Sequence, residues 1–407
     1  MSRLSQFAGV GLSTTLALAS LSACGSSSSS SSSSDDTIKI GVSLSLTGDL
    51  GPIGPIQKAG LDYAVKRVND AGGIEVDGET KKVELIVQDN KSDSTLAGSQ
   101  AREMALKDGV SAFLTGCTPT AVLPVVQVAE AQHVPVIATC NPIGVFETFS
   151  KEGFKYSWDM FFAETEQGTD IFQTFDQVES NKKVALFTDT EPDGVAQREL
   201  FKSAATEAGY DVVGDYSFAV GTTDYSSFIK DAKSKGAQLV LSQTVIPDGI
   251  ALYKQIKALE LKPVAALAAK AGSSGAWWDG LGDTAQGTLT TAYWAPGGML
   301  SDDLQAALTE QLPTIPDQGI AVSSFSAAYV LLDAIAKAGS SEPSEINDAI
   351  AASDLDTPVG HIAFDPTTHV CATDLYVLQW NEGSADQVFP ADATGSVPLV
   401  APVAGLQ

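Results

Sequence analysis

Residues 111–142 constrain the fold more tightly than any other stretch of the chain. They read SAFLT (111–115), GCTPT (116–120), an alanine- and valine-rich segment, VPVIA (134–138) and TCNP (139–142). This is a short apolar strand, a turn of small polar residues, a helix, a second strand and a second small polar turn. Two parallel strands joined through a helix lie side by side, and both turns then fall at the carboxyl ends of the strands, where open parallel sheets place their ligand crevice. Hydroxyls and free backbone N–H groups at a helix start suit a small anion such as a carboxylate. The stretch predicts a binding site for a small polar molecule, with no catalytic group in view.

The same alternation extends in both directions. Residues 38–44 and 82–88 read as strands, with helices over 54–71 and from Ser94 onward. The first helix places Ile56, Ala59, Tyr63 and Val68 near helical spacing and stops at Gly72-Gly73. After Trp158 the pattern restarts, with strands predicted at 183–188, 211–218 and 239–242 and helices between them. Two successive strand–helix series imply two α/β lobes, each a parallel sheet covered on both faces. The last part, with helices over 321–337 and 343–352 and a strand over 374–380, holds too few strands for a third domain. It is expected to return and complete the first two.

A chain of 407 residues with 44% hydrophobic and 18% charged residues has the composition of a soluble globular protein with room for two cores. A formal charge of −26 argues against nucleic acid as a partner, because such a chain cannot displace counterions from phosphates. At the start, Arg3 precedes an apolar run over 7–21, too short for a membrane span and suited to a signal peptide. The run ends in LSACG (21–25), which resembles a bacterial lipobox and implies cleavage before Cys24 and lipidation of its thiol. Nine serines (26–34) and Asp35-Asp36 follow, a flexible tether that makes sense when one end is fixed. The alternative is an ordinary signal peptide with a chance cysteine. No other stretch reads as apolar for long enough to cross a bilayer.

Four segments carry a family resemblance: IGVSLSLTG (40–48), KAGLDYA (58–64) with NDAGGI (69–74), AAYVLLDA (327–334) with Ala338-Gly339, and GHIAFDP (360–366). In this order the chain resembles the type I periplasmic binding proteins, in their branched-chain amino-acid (leucine/isoleucine/valine-binding) branch. The resemblance implies an α/β fold of two doubly wound parallel-sheet lobes joined by three hinge crossings, placed at 158–163, 293–298 and 364–368. The N-terminal lobe is then 37–160 with 296–365 and the C-terminal lobe 161–295 with 366–395. Residues 1–23 are a signal peptide, 24–36 a tether and 396–407 a tail. The family's role is to capture a small solute between the lobes outside the cytoplasm and deliver it to an ABC permease. The expectation is therefore a monomer on a lipid anchor, with no cofactor and no metal.

Carried over by position, Leu46 and Thr47 match the family's first cleft loop, Thr118 the loop after the third strand, and Thr139, Cys140 and Asn141 the loop after the fourth. In the family these groups hold the ligand's carboxylate and amino group. The second lobe departs from the pattern. The aromatic residue expected before Gly194 is Asp193 here, and where an acid is expected after 263–267 the nearest charged residue is Lys270. Both departures count against an ordinary aliphatic amino acid as ligand.

Bland readings stand beside these. Thr118, Thr139 and Asn141 serve either as cleft contacts or as helix caps. Asp193 is either a ligand contact or a turn residue beside Pro192. Trp158 and Phe162, at the first crossing, either form an aromatic shelf for the ligand or pack in the core. Cys117 and Cys140 follow neighbouring strands and suit a disulfide that leaves Cys371 free; the alternative is three unpaired cysteines. His133, His361 and His369 have no nucleophile in evident register, and Gly-x-Ser-x-Gly, phosphate-loop and Cys-x-x-Cys patterns are absent. Two other roles remain open on sequence grounds: a sensory module with the same fold, and a hydrolase on a doubly wound scaffold.

Overall fold

Largely buried apolar strands build two parallel-dominated sheets. The computed structural model describes residues 37–295, 302–312 and 314–407; Cys24, the signal peptide and the serine tether lie outside them. In the first sheet the strands run Val370–Ala372, Ser157–Phe161, Val136–Ala138, Ala112–Thr115, Thr37–Leu44, Glu79–Asp89, Ile74–Val76. All neighbours pair in parallel except the last two, which form a hairpin. Ile38, Ile40, Val42 and Leu44 alternate along the central strand and point to one face. Phe113 and Val136 point to the other, under Val122, Val125 and Val126 of the helix Pro119–Gln132. Burial on both faces is why these strands read as apolar runs.

The helix Ile315–Ala338 closes the first face. It is long and apolar enough to cross a bilayer, contrary to the expectation that no stretch after the leader would be, yet 83% of its most apolar window is buried inside the fold. It packs so closely on the helix Gly54–Asp70 that a Cβ on Gly60 would lie 2.0 Å from the carbonyl oxygen of Ala321. Any side chain at position 60 forces the two backbones apart.

The second sheet runs Ser384–Phe389, Tyr376–Asn381, Leu289–Ala292, Ala265–Ala268, Leu239–Gln243, Lys183–Asp189, Asp211–Phe218. Tyr376–Asn381 pairs antiparallel with both of its neighbours, and the remaining pairs are parallel. The tail thus supplies strands to both sheets. The strand Val370–Ala372 pairs with Ser157–Phe161, so the last passage between lobes falls at residues 373–375, not at 364–368, and residues 366–372 belong with the first lobe. Residues 396–407 are no loose tail: Val403 and Leu406 are buried in the second lobe's core and the Gln407 amide donates to the carbonyl of Pro263. These twelve residues lack the period of a strand or helix, and only their apolar anchors show the docking.

Candidate functional site

On the first lobe, the strand Ala112–Thr115 ends in a turn whose last residue, Thr118, has φ 74° and ψ 148°. A β-branched residue rarely adopts that backbone, and its cost must be carried by the surrounding contacts. Those contacts are visible. The Thr118 N–H donates to the carbonyl of Cys140 at 3.1 Å, and its own carbonyl accepts from Ala121 and Val122 to open the helix Pro119–Gln132. The Gln57 side chain accepts from the Cys117 N–H at 2.9 Å. Cys140, in the neighbouring turn, also has a positive φ of 56°, and its α-carbon lies 4.7 Å from that of Cys117, within the span of a disulfide. The result is a rigid ledge. It presents the positive end of a helix dipole and the buried Thr118 hydroxyl, which has no hydrogen-bond partner among the described residues.

On the second lobe, the strand Lys183–Asp189 leads to the helix Pro192–Glu207. Gly194 is required at its start because a Cβ there would lie 2.4 Å from Oδ1 of Asp189. One residue earlier, Asp193 turns inward and meets Lys270, which follows the strand Ala265–Ala268. The Lys270 ammonium lies 3.0 Å from Oδ2 and 3.2 Å from Oδ1 of Asp193. The two residues are 6% and 3% exposed. Burial by itself pulls the Lys270 ammonium down, but Asp193, Asp189 and Glu191 outweigh it and raise the pKa above the usual lysine value. Asp189 stands behind the pair, accepting N–H bonds from Val245 and Glu191. Burial pushes its carboxyl up to about 6; Lys270 opposes the shift and Asp193 adds to it.

Between the two ledges, at the passages from lobe to lobe, the rings of Phe161 and Phe162 lie 4.6 and 5.8 Å from that of Tyr293. Burial pushes the Tyr293 phenol up to about 12, against the opposing effects of Ser273 and Lys270. Ledges and rings line a narrow, partly open cavity between them. No histidine is among the described residues lining it. Its chemistry is that of a binding pocket: hydroxyl, carboxamide, one balanced ion pair and an aromatic side.

A sequence model of the family described as "Periplasmic binding protein" matches residues 37–385. The chain belongs to that family. Members of it are extracytoplasmic solute-binding proteins, and the chain is 24% identical over 350 residues to the leucine-, isoleucine-, valine-, threonine- and alanine-binding protein of Pseudomonas aeruginosa, spanning 85% of this chain and 90% of the relative. It is 26% identical over 353 residues to Leu/Ile/Val-binding protein homolog 3 of Brucella melitensis, spanning 85% and 92%. Solved structures with the same fold include the branched-chain amino acid transporter substrate binding protein LivJ of Streptococcus pneumoniae with isoleucine, at TM-score 0.76, 22% identity and 90% and 100% coverage. A solute binding protein from Rhodopseudomonas palustris BisB5 with 3,4-dihydroxybenzoic acid superposes at TM-score 0.72, 19% identity and 90% and 97% coverage.

Of the residues expected to contact the solute, Thr118, Cys140, Phe162 and Asp193 line the cavity. Leu46, Thr47, Thr139, Asn141 and Trp158 do not, and each has contacts elsewhere. The Leu46 N–H and the Thr47 hydroxyl both bind Asp89, at 3.0 and 2.7 Å, which pins their loop to the neighbouring strand. Thr139 donates to the carbonyl of Met160 and meets the Ser323 hydroxyl at 2.7 Å, behind the ledge. Asn141 is wholly buried, with its amide on the carbonyl of Pro142. Trp158 stacks on His369 at 3.8 Å and donates to Asn347, which makes it a core residue of the first lobe. Lys270, Tyr293, Gln167, Gln197 and Gln243 line the cavity without having been singled out as contacts. Gln197 had a legible signal, since it lies one turn after Asp193 on the same helix face.

Proposed function

We propose that this protein captures a small polar solute, an amino acid or an amino-acid-like carboxylate, in the cavity between its lobes and hands it unchanged to an ABC permease. It acts as a monomer held to the membrane by a lipid on Cys24. One observation carries this reading: the cavity has one wall from each lobe, with the Thr118 ledge facing Asp193 and Lys270 across it. The ledge suits a carboxylate, because the helix Pro119–Gln132 starts there and its dipole favours negative charge. Aromatic rings fill the side between the walls, where a ligand's apolar part would rest. The names of the amino-acid-binding relatives support import as the task.

Isothermal titration of the purified chain against amino acids, small amides and aromatic acids tests the reading. At least one compound is expected to bind with a Kd of about 1 μM or tighter, at one site per chain, and to be recovered chemically intact. Turnover of the bound compound, or stoichiometric binding that survives Thr118→Ala and Asp193→Ala unchanged, would sink it. Mass spectrometry of membrane-extracted protein checks the anchor, since a diacylglyceryl group on Cys24 gives a fixed mass increment that Cys24→Ser abolishes.

A further inference from the structure

We propose that the second-lobe wall of the cavity is built to recognise a neutral carboxamide or ureido group on the solute, and to turn away a branched aliphatic side chain. The proposal rests on the solute-binding reading above and names the class of solute.

Three carboxamide side chains, Gln167, Gln197 and Gln243, line that wall. They are 2%, 1% and 3% exposed, and the Oε1 atom of each is buried with no hydrogen-bond partner among the described residues. For Gln243 the direction of the amide is fixed. Its NH₂ donates to Oδ2 of Asp193 at 2.9 Å, so its oxygen is the atom left over. Asp193 itself accepts from Lys270 through both oxygens and from Gln243, which uses most of a carboxylate's acceptor capacity. Asp193 is therefore a positioning residue: it neutralises Lys270 and orients Gln243.

Charge then narrows the class of solute. An ammonium set against this wall would meet Lys270, and a second carboxylate would meet Asp193 and Asp189. A neutral group avoids both conflicts. A methyl group set against the glutamines would leave their buried oxygens unpaired, whereas a primary amide offers two N–H donors and an acceptor. The carboxamides of Gln167 and Gln197 can meet such a group in either orientation. A site with buried polar groups rejects an apolar isostere more strongly than an apolar pocket rejects a polar one. The aliphatic specificity printed in the relatives' names is thus opposed by this wall.

Isosteres make the test. Titration of the full chain with L-asparagine, L-leucine and L-aspartate, then with L-glutamine and L-glutamate, and with propanamide and urea as minimal amides, is expected to give at least tenfold tighter binding for an amide than for its aliphatic and acidic isosteres. In Gln197→Leu and Gln243→Leu the ratio of amide to aliphatic affinity is expected to fall at least fivefold. Asp193→Asn is expected to reduce the same ratio while leaving far-ultraviolet circular dichroism unchanged, a readout that a merely structural role would not move. Leucine binding as tightly as asparagine, or an aromatic acid as the one ligand, would overturn the proposed class and leave the solute-binding reading standing. No binding by any amino acid, amide or aromatic acid would overturn both.

Discussion

Lys270 and Asp193 are two charges held 3.0 Å apart and almost wholly buried at the cavity wall. Removing one member leaves the other uncompensated, and for buried pairs that costs about 3–5 kcal/mol, whereas replacing both by side chains of similar size is often neutral. Lys270→Ala is therefore expected to lower unfolding free energy by about 3–5 kcal/mol, and the double variant Lys270→Met with Asp193→Leu to recover most of that loss. Urea unfolding of the two proteins at one pH measures both. If the single substitution costs less than about 1 kcal/mol, in the range of exposed pairs, the pair is solvated and the cavity wall is looser than described. Neither partner was legible as a pair in the sequence, since 77 positions separate them. What the sequence does show is each residue's oddness: an acid where the family pattern implies an aromatic ring, and a lysine as the nearest charge where that pattern implies an acid.

At the scale of elements, strands and helices followed from local period, and their junctions did not. The run SAFLT folds as the strand Ala112–Thr115 because all four positions are buried from both sides. Val370–Ala372 has three residues and no period to read, and it becomes a strand only because the edge of Ser157–Phe161 is open beside it. The buried glutamines were silent for a similar reason: burial of a carboxamide is decided by what closes over it. Two predictions belong here. The helix Glu164–Phe175 carries Asp170, half-buried, and burial followed by the nearby Glu166 raises its carboxyl to about 6. A carboxyl whose folded-state pKa exceeds its unfolded value contributes most stability below about pH 4, and that contribution is lost as the pH rises through 6. Asp170→Asn should therefore stabilise the protein at pH 8, by about 1–2 kcal/mol after allowance for solvent screening, and have little effect at pH 4; thermal unfolding at both values decides it. The second concerns the two turns of the ledge. If Cys117 and Cys140 are bridged, alkylation of denatured, unreduced protein labels Cys371 and spares both. Reduction then lowers stability by about 3 kcal/mol, the usual effect of closing a loop of this length, the two cysteines being 23 positions apart. Labelling of all three would leave the ledge held by hydrogen bonds alone.

For the whole molecule, under the proposed function, the decisive quantity is the balance between lobes apart and lobes together, because a solute bound between them shifts that balance by its differential affinity for the two arrangements. The structure shows a bond that stabilises the joined arrangement without facing the cavity wall. The Thr120 hydroxyl, at the start of the helix Pro119–Gln132, donates to the Glu191 carboxylate at the start of the facing helix on the other lobe. Thr120 does not line the cavity described above; it lines a separate groove at the edge of the lobes with Pro192 and Phe149. Thr120→Val keeps the shape and deletes the hydroxyl. A charge-assisted hydrogen bond contributes about 1.5–3 kcal/mol when buried and less at a partly exposed position, so a loss of about 1 kcal/mol in closure is expected. That corresponds to an affinity about fivefold weaker. Because the bond forms only after the lobes meet, the change should fall on koff, with kon for solute entry nearly unaltered. Stopped-flow measurement of both rates on the best ligand separates the two, and a change confined to kon would show that Thr120 acts on entry to the cleft, not on its closure.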